Sequence, residues 1–157
     1  MTDNTSKTSE TRKSKEFLWF WDELDSYLKR HQLKQTKQRE KIIGFFLEEN
    51  SHLSAEELAL KLKEKGLSVG LATIYRTLSL LVDAGLVEQK NFEEGRSIYE
   101  VAVPGEHHDH LICQKCSKIV EFENNEIEIL QDKVALKHGF TLKSHRLELF
   151  GLCSDCH

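Results

Sequence analysis

The sequence has a single proline among its 157 residues and no long apolar run anywhere. A membrane-spanning helix needs about 18 or more consecutive apolar residues, and a secretory signal needs an apolar segment behind a basic start. Neither is found, so a soluble, cytoplasmic protein without membrane partners is expected. Excess positive charge is also missing. With a formal net charge of -4 there is no global attraction to DNA, and any nucleic-acid role must rest on a local basic patch. Cysteine is scarce: there are four, all in two C-x-x-C units, Cys113 with Cys116 and Cys153 with Cys156. Nothing signals a lone nucleophile or a substrate cleft, which speaks against an enzyme and a small-molecule substrate.

Two C-x-x-C turns can close a tetrahedral site around one ion, and the spacing reads most simply as structural zinc. Iron–sulfur signatures usually crowd three cysteines into one run. Two redox dithiols or two disulfides remain as alternatives, although both fit less well beside His107-His108-Asp109-His110. In an extended segment His108 and His110 face one way and His107 and Asp109 the other, so one stretch can feed two sites. Glu121, Glu126, Glu128, His138 and His145 add further imidazole and carboxylate. Mixed nitrogen and oxygen ligation suits Fe(II), Mn(II), Co(II), Ni(II) or Zn(II) and exchanges more readily than thiolate ligation.

Residues 1–15 are polar and read as a flexible tail. Phe17, Leu18, Phe20, Trp21, Leu24, Tyr27 and Leu28 then recur at helical spacing, predicting a helix over 16–31. Six basic residues (Lys29, Arg30, Lys34, Lys37, Arg39, Lys41) against Glu40 form a candidate phosphate-contacting surface. Thr36 can cap a second helix carrying Ile42, Ile43, Phe45, Phe46 and Leu47. Ser54 with Glu57 forms a capping box for a third, which runs to about Lys65. A fourth helix buries Ile74, Leu78, Leu81 and Val82, leaving Tyr75, Arg76 and Ser79 off the apolar stripe. Two short strands over 86–89 and 97–101 then flank a polar turn at 91–95.

Helices in this order followed by a two-stranded wing imply a winged-helix domain over 16–103, an architecture that serves DNA binding and also protein interaction. Pro104-Gly105 marks a hinge at 104–106, and 107–157 reads as a second, metal-binding domain. There, strands are expected over 110–113 and 119–122, a helix over 125–138, and an alternating strand over 141–152. The helix carries Ile127, Leu130, Val134 and Leu136 as its main apolar positions. So small a domain needs zinc and a partner subunit for stability, and a homodimer sharing a sheet is the natural expectation. The fold class is α+β.

Leu33-Lys34-Gln35-Thr36-Lys37-Gln38-Arg39, Ala72-Thr73-Ile74-Tyr75-Arg76-Thr77-Leu78, the His107–His110 run and the four cysteines closely resemble the ferric uptake regulator family of metal-responsive bacterial repressors. The resemblance covers nearly the whole chain after about residue 20. It implies a dimeric repressor that binds an A·T-rich palindromic operator when loaded with Fe(II), controlling iron uptake and homeostasis genes, with Mn(II), Co(II) or Zn(II) as substitutes. It places structural zinc on Cys113, Cys116, Cys153 and Cys156. It places a regulatory site on His52, Glu100, His108, His110 and Glu121, and an additional site on His107, Asp109, Glu128 and His145. For DNA it points to Lys34 near the minor groove and to Thr73, Tyr75 and Arg76 on the recognition helix. Peroxide sensors of the superfamily have aspartate where this chain has Glu100 and Glu121, which favours the iron-responsive branch. A zinc- or manganese-responsive repressor and a metal-buffering protein without DNA binding are the alternatives.

Overall fold

The computed structural model describes residues 15–92, 95–105 and 108–157. The expected tail therefore lies almost wholly outside the described residues, as do Glu93 and Glu94 of the wing turn, Glu106 of the hinge, and His107. The chain divides into two compact units, one ending at Pro104 and the other running from Gly105 to His157.

The first unit begins with a 3-10 turn, Lys15–Phe17, leading into α1, Leu18–Arg30. The helix buries Phe20, Trp21, Leu24 and Leu28 along one stripe. Helix α2 spans Lys37–Glu49, and the Thr36 side chain accepts the Arg39 backbone N–H at its start. Helix α3 spans Ala55–Glu64, with both halves of the Ser54/Glu57 capping box formed. These caps satisfy backbone donors that a helix start otherwise leaves without partners. Helix α4, Leu71–Asp83, buries Ile74, Leu78 and Leu81, together with Thr77, whose hydroxyl donates to the Thr73 carbonyl. Val82 is half-buried at the edge of this core.

Helix α4 ends at Gly85, whose φ of +72° lets the Gly85 and Leu86 amides reach back to Val82 and Leu81. The chain then turns directly into β1, Val87–Asn91, which pairs antiparallel with β2, Ser97–Val101. One core joins all of these elements, from Phe20 of α1 through Ile42 and Phe46 of α2 to Tyr99 of β2. An isolated antiparallel bridge between Leu53 and Tyr99 pins the α2–α3 connection to the wing, with mutual N–H to carbonyl bonds of 3.1 and 2.8 Å.

The second unit is a three-stranded sheet ordered β4-β3-β5, plus one helix. Strand β3 is Asp109–Cys113, β4 is Ile119–Phe122, α5 is Asn125–Lys137 and β5 is Glu148–Gly151. Strand β3 runs antiparallel to β4 and parallel to β5. The alternating segment read as one strand over 141–152 forms a strand only at 148–151. Residues 141–147 are not in a strand, although the Leu147 carbonyl accepts the His110 amide, and His145 among them lies beside Asp109 at the start of β3. Helix α5 is capped by the Asn124 side chain but buries no residue within the chain. Its Leu130 and Val134 are each 58% exposed, an uncovered apolar surface on a unit whose only buried hydrophobic residues among those described are Ile112 and Cys113. No helix among the described residues is long and apolar enough to cross a membrane.

Candidate metal centres and nucleic-acid face

The four cysteines converge because β3 and β5 are parallel neighbours. Cys113 ends β3 in register with Gly151, and the Gln114 amide donates to the Gly151 carbonyl at 2.8 Å. Cys153 follows two residues later, so both C-x-x-C turns leave the same edge of the sheet. The Ser117 amide closes the first turn on the Cys113 carbonyl, and the Cys156 amide closes the second on Cys153. All four cysteines are free. Their sulfurs lie within 4.8 Å of one another, and Cys116 Sγ to Cys153 Sγ is 3.7 Å. A tetrahedron with zinc–sulfur bonds of about 2.3 Å has edges of roughly 3.8 Å, which the Cys116–Cys153 separation matches.

Electrostatics agree with the geometry. Backbone N–H groups of Cys116 and Cys153 hold the Cys113 thiol down at about 6. Hydrogen bonding with Cys153, then burial and the other sulfurs, pushes Cys156 up to about 12. One thiolate is favoured and further ionisation is opposed by crowding. A cation at the centre reverses that opposition, so the donor set fits a zinc ion.

A second set lies wholly within this unit. Buried Asp109 begins β3, Glu128 lies in the first turn of α5, and His145 comes from the irregular segment before β5. Their donor atoms lie within 4.8 Å of one another, with His145 Nε2 3.1 Å from Glu128 Oε1 and 3.7 Å from Asp109 Oδ1. Three of the four residues expected for the additional site are thus together, and the fourth, His107, lies outside the described residues. Nitrogen and carboxylate oxygen donors around a buried acid fit a divalent cation.

Of the five residues expected for the regulatory site, two lie in the first unit and three in the second. In the first, the Leu53–Tyr99 bridge sets the preceding His52 opposite the following Glu100, and His52 Nε2 is ion-paired to Glu100 Oε2. Burial raises the Glu100 carboxyl, but hydrogen bonds from His52 and Lys90 outweigh it and hold the group at about 2. In the second unit, the β3–β4 register places His110 directly across from Glu121. His108 Nδ1 lies 3.7 Å from Glu123 Oε1, an acid outside the expected set. Sequence reasoning also passed over Lys90. Buried lysine leaves no mark on a strand pattern beyond its alternation.

On the candidate DNA face, Tyr75 and Arg76 are exposed on α4, and Thr73 is half-buried in its first turn. The Tyr75 hydroxyl donates to Glu56 Oε1 at 2.6 Å, which, with some burial, pushes its pKa up to about 12. Glu56 is a further residue the sequence did not single out. Arg76 Nε donates to the Ala72 carbonyl, which holds its guanidinium along the helix. Lys34 is exposed in a loop tied down by Arg39 Nη1, which donates to the Lys34 carbonyl at 2.7 Å.

Fold and donor sets together define a winged-helix protein with clustered metal donors. The sequence model of the Ferric uptake regulator family matches residues 30–150, and the chain belongs to this family of metal-dependent transcriptional repressors rather than to an enzyme family. It is 45% identical over 130 residues to the ferric uptake regulation protein of Neisseria meningitidis, covering 82% of this chain and 90% of that one. The Vibrio cholerae ferric uptake regulator superposes with a TM-score of 0.71 at 42% identity, covering 82% of this chain and 98% of that one. The Helicobacter pylori regulator, described as having three functional metal-binding sites, gives a TM-score of 0.75 at 33% identity, covering 87% and 90%.

Proposed function

We propose that this chain is an Fe(II)-responsive repressor that binds A·T-rich palindromic operators as a homodimer in the cytoplasm and controls iron uptake and homeostasis genes. The observation that carries the reading is the separation of donor types. Four cysteine sulfurs cluster at one place, whereas the remaining clustered donors among the described residues are imidazole and carboxylate only. A closed thiolate cage suits a permanent structural zinc, and mixed nitrogen and oxygen donors suit an exchangeable ion such as Fe(II), Mn(II) or Co(II). The Helicobacter pylori relative, described as having three functional metal-binding sites, supports more than one metal site per chain.

In this reading Cys113, Cys116, Cys153 and Cys156 hold zinc. His52, Glu100, His108, His110 and Glu121 supply the regulatory ligands, and Asp109, Glu128 and His145, with His107, the additional set. The chain in this reading comprises a winged-helix domain, 16–103, a hinge at 104–106 and a dimerisation domain, 107–157, with the proposed regulatory ligands lying in sequence on either side of Pro104. The exposed apolar residues of α5 support a partner subunit covering that surface. Tyr75 packs against a thymine methyl, Arg76 and Thr73 contact a phosphate or base edge, and Lys34 approaches the minor groove. Metal and DNA coupled by about 1–3 kcal/mol change operator affinity about 5- to 150-fold.

Zinc or manganese as the sensed ion is the second reading, because imidazole and carboxylate donors accept all three ions. A mobility shift on an A·T-rich palindrome with and without Mn(II) tests the repressor mechanism. Metal-independent DNA affinity overturns it, and no DNA binding in either condition leaves metal buffering.

A further inference from the structure

The wing carries a cation that the metal-site reading does not use. Lys90 lies in β1 with a side chain only 3% exposed, and its ammonium is ion-paired to Glu100 Oε1. Glu88, two residues earlier on the same face, has Oε2 4.0 Å from the same ammonium. The β1–β2 register sets Glu88 directly across from Glu100. Two carboxylates facing each other across a ladder repel, and Lys90, one pleat further on, offsets both. Lysine is almost never buried unless it is paired, so this ammonium requires a carboxylate. Glu100 is that partner, yet it is also the acid held against His52.

We propose that Lys90 is an internal counter-cation of the His52–Glu100 pair, holding Glu100 in the metal-free protein and passing to Glu88 when Glu100 ligates a divalent ion. This rests on the reading of His52 and Glu100 as metal ligands. An ammonium held on a ligating carboxylate stands a few ångströms from the metal's charge, in surroundings where screening is weak. Lys90 and the ion therefore compete for Glu100. The Glu88 carboxylate, whose side chain is 41% exposed, offers Lys90 a second partner nearer solvent without leaving the strand face. Lys90 then raises the metal concentration at which the site fills, and Glu88 lowers it.

The test uses the full chain with its structural zinc retained and measures Mn(II) affinity by competition with a chromophoric chelator. Thermal unfolding of the Mn(II)-free protein is the second readout. His52→Ala first identifies which Mn(II) site belongs to this pair. Lys90→Met is expected to tighten that site by about tenfold or more, the order expected from removing a like charge close to the ion, and to lower the unfolding temperature without Mn(II). Glu88→Gln is expected to weaken the site severalfold, an effect that disappears in the Lys90→Met background. If Lys90→Met does not fold, Lys90→Gln, which keeps a donor to Glu100 without the charge, takes its place. Loss of a Mn(II) site in His52→Ala with unchanged or weaker affinity on removing Lys90 overturns the counter-cation and leaves the ligands standing. Unchanged Mn(II) binding in His52→Ala overturns the ligand reading itself.

Discussion

Cys113→Ser is expected to unfold the second unit while the first remains cooperative. Cys113 is 4% exposed, and its sulfur accepts the Cys153 amide at 3.4 Å, so the substitution removes a zinc ligand and weakens the link between the two turns. Little else can compensate. Ile112 is the only aliphatic side chain of this unit buried among the described residues, and full burial of such a side chain contributes about 3 kcal/mol at most. Structural zinc in a four-ligand site contributes on the order of 10–16 kcal/mol at neutral pH. The metal term exceeds the core term severalfold, so loss of zinc leaves the sheet without adequate stabilisation. The first unit has its own core, running from Phe20 to Tyr99, and needs no such support. Zinc content by mass spectrometry and calorimetric unfolding are the assays. The variant should hold no zinc in this cage and should show one transition for the first unit with none for the second. A zinc-free variant whose second unit melts as in the parent would refute the argument.

Glu100, normally near 4.5 and held at about 2, contributes stability that is fully present above pH 4.5 and lost as the pH falls toward 2. The contribution is at most about 3 kcal/mol, so urea unfolding without added regulatory metal should separate the parent from Glu100→Gln at pH 6, with the gap narrowed by about half at pH 3 and closed near pH 2. Equal gaps at all three values would exclude the ion pair as the cause. Ser54→Ala removes the acceptor for the Glu57 amide and one end of the capping box, and should cost about 1 kcal/mol in the urea midpoint; no change would mean the cap is replaced by water. Arg76→Ala should weaken operator binding by about 1–3 kcal/mol if the guanidinium reads a base, and should lower the salt slope by about one if it meets a phosphate. Unchanged affinity and slope would remove Arg76 from the interface.

Local signals were the legible ones. Thr36 and the Ser54/Glu57 box announce helix starts because capping is settled within four residues, and both caps form. The C-x-x-C turns are equally local, and the sulfurs do converge. The Leu53–Tyr99 bridge, which sets His52 against Glu100, joins residues far apart in sequence, so only the family resemblance pointed to that pair. Lys90 was invisible because its burial depends on carboxylates brought to it by the wing register. Over 141–147 apolar positions such as Leu142 and Leu147 suggested a strand, but only 148–151 forms one, paired with β3. Sequence periodicity reports which positions are apolar, not what covers them, and α5 illustrates this with an apolar stripe left exposed within the chain.

The central claim is that one closed thiolate site holds permanent zinc while imidazole and carboxylate sites admit the sensed ion and thereby control DNA affinity. Metal content per chain after anaerobic purification, followed by operator binding across free Fe(II), Mn(II) and Zn(II) at fixed salt, tests it most directly. The account predicts one zinc that survives dialysis against chelator, lost in Cys113→Ser, and operator binding that rises with Fe(II) while that zinc stays in place. Zinc filling every site at far lower concentration, and alone switching on DNA binding, would contradict iron sensing. Binding that ignores all three ions would contradict the mechanism altogether.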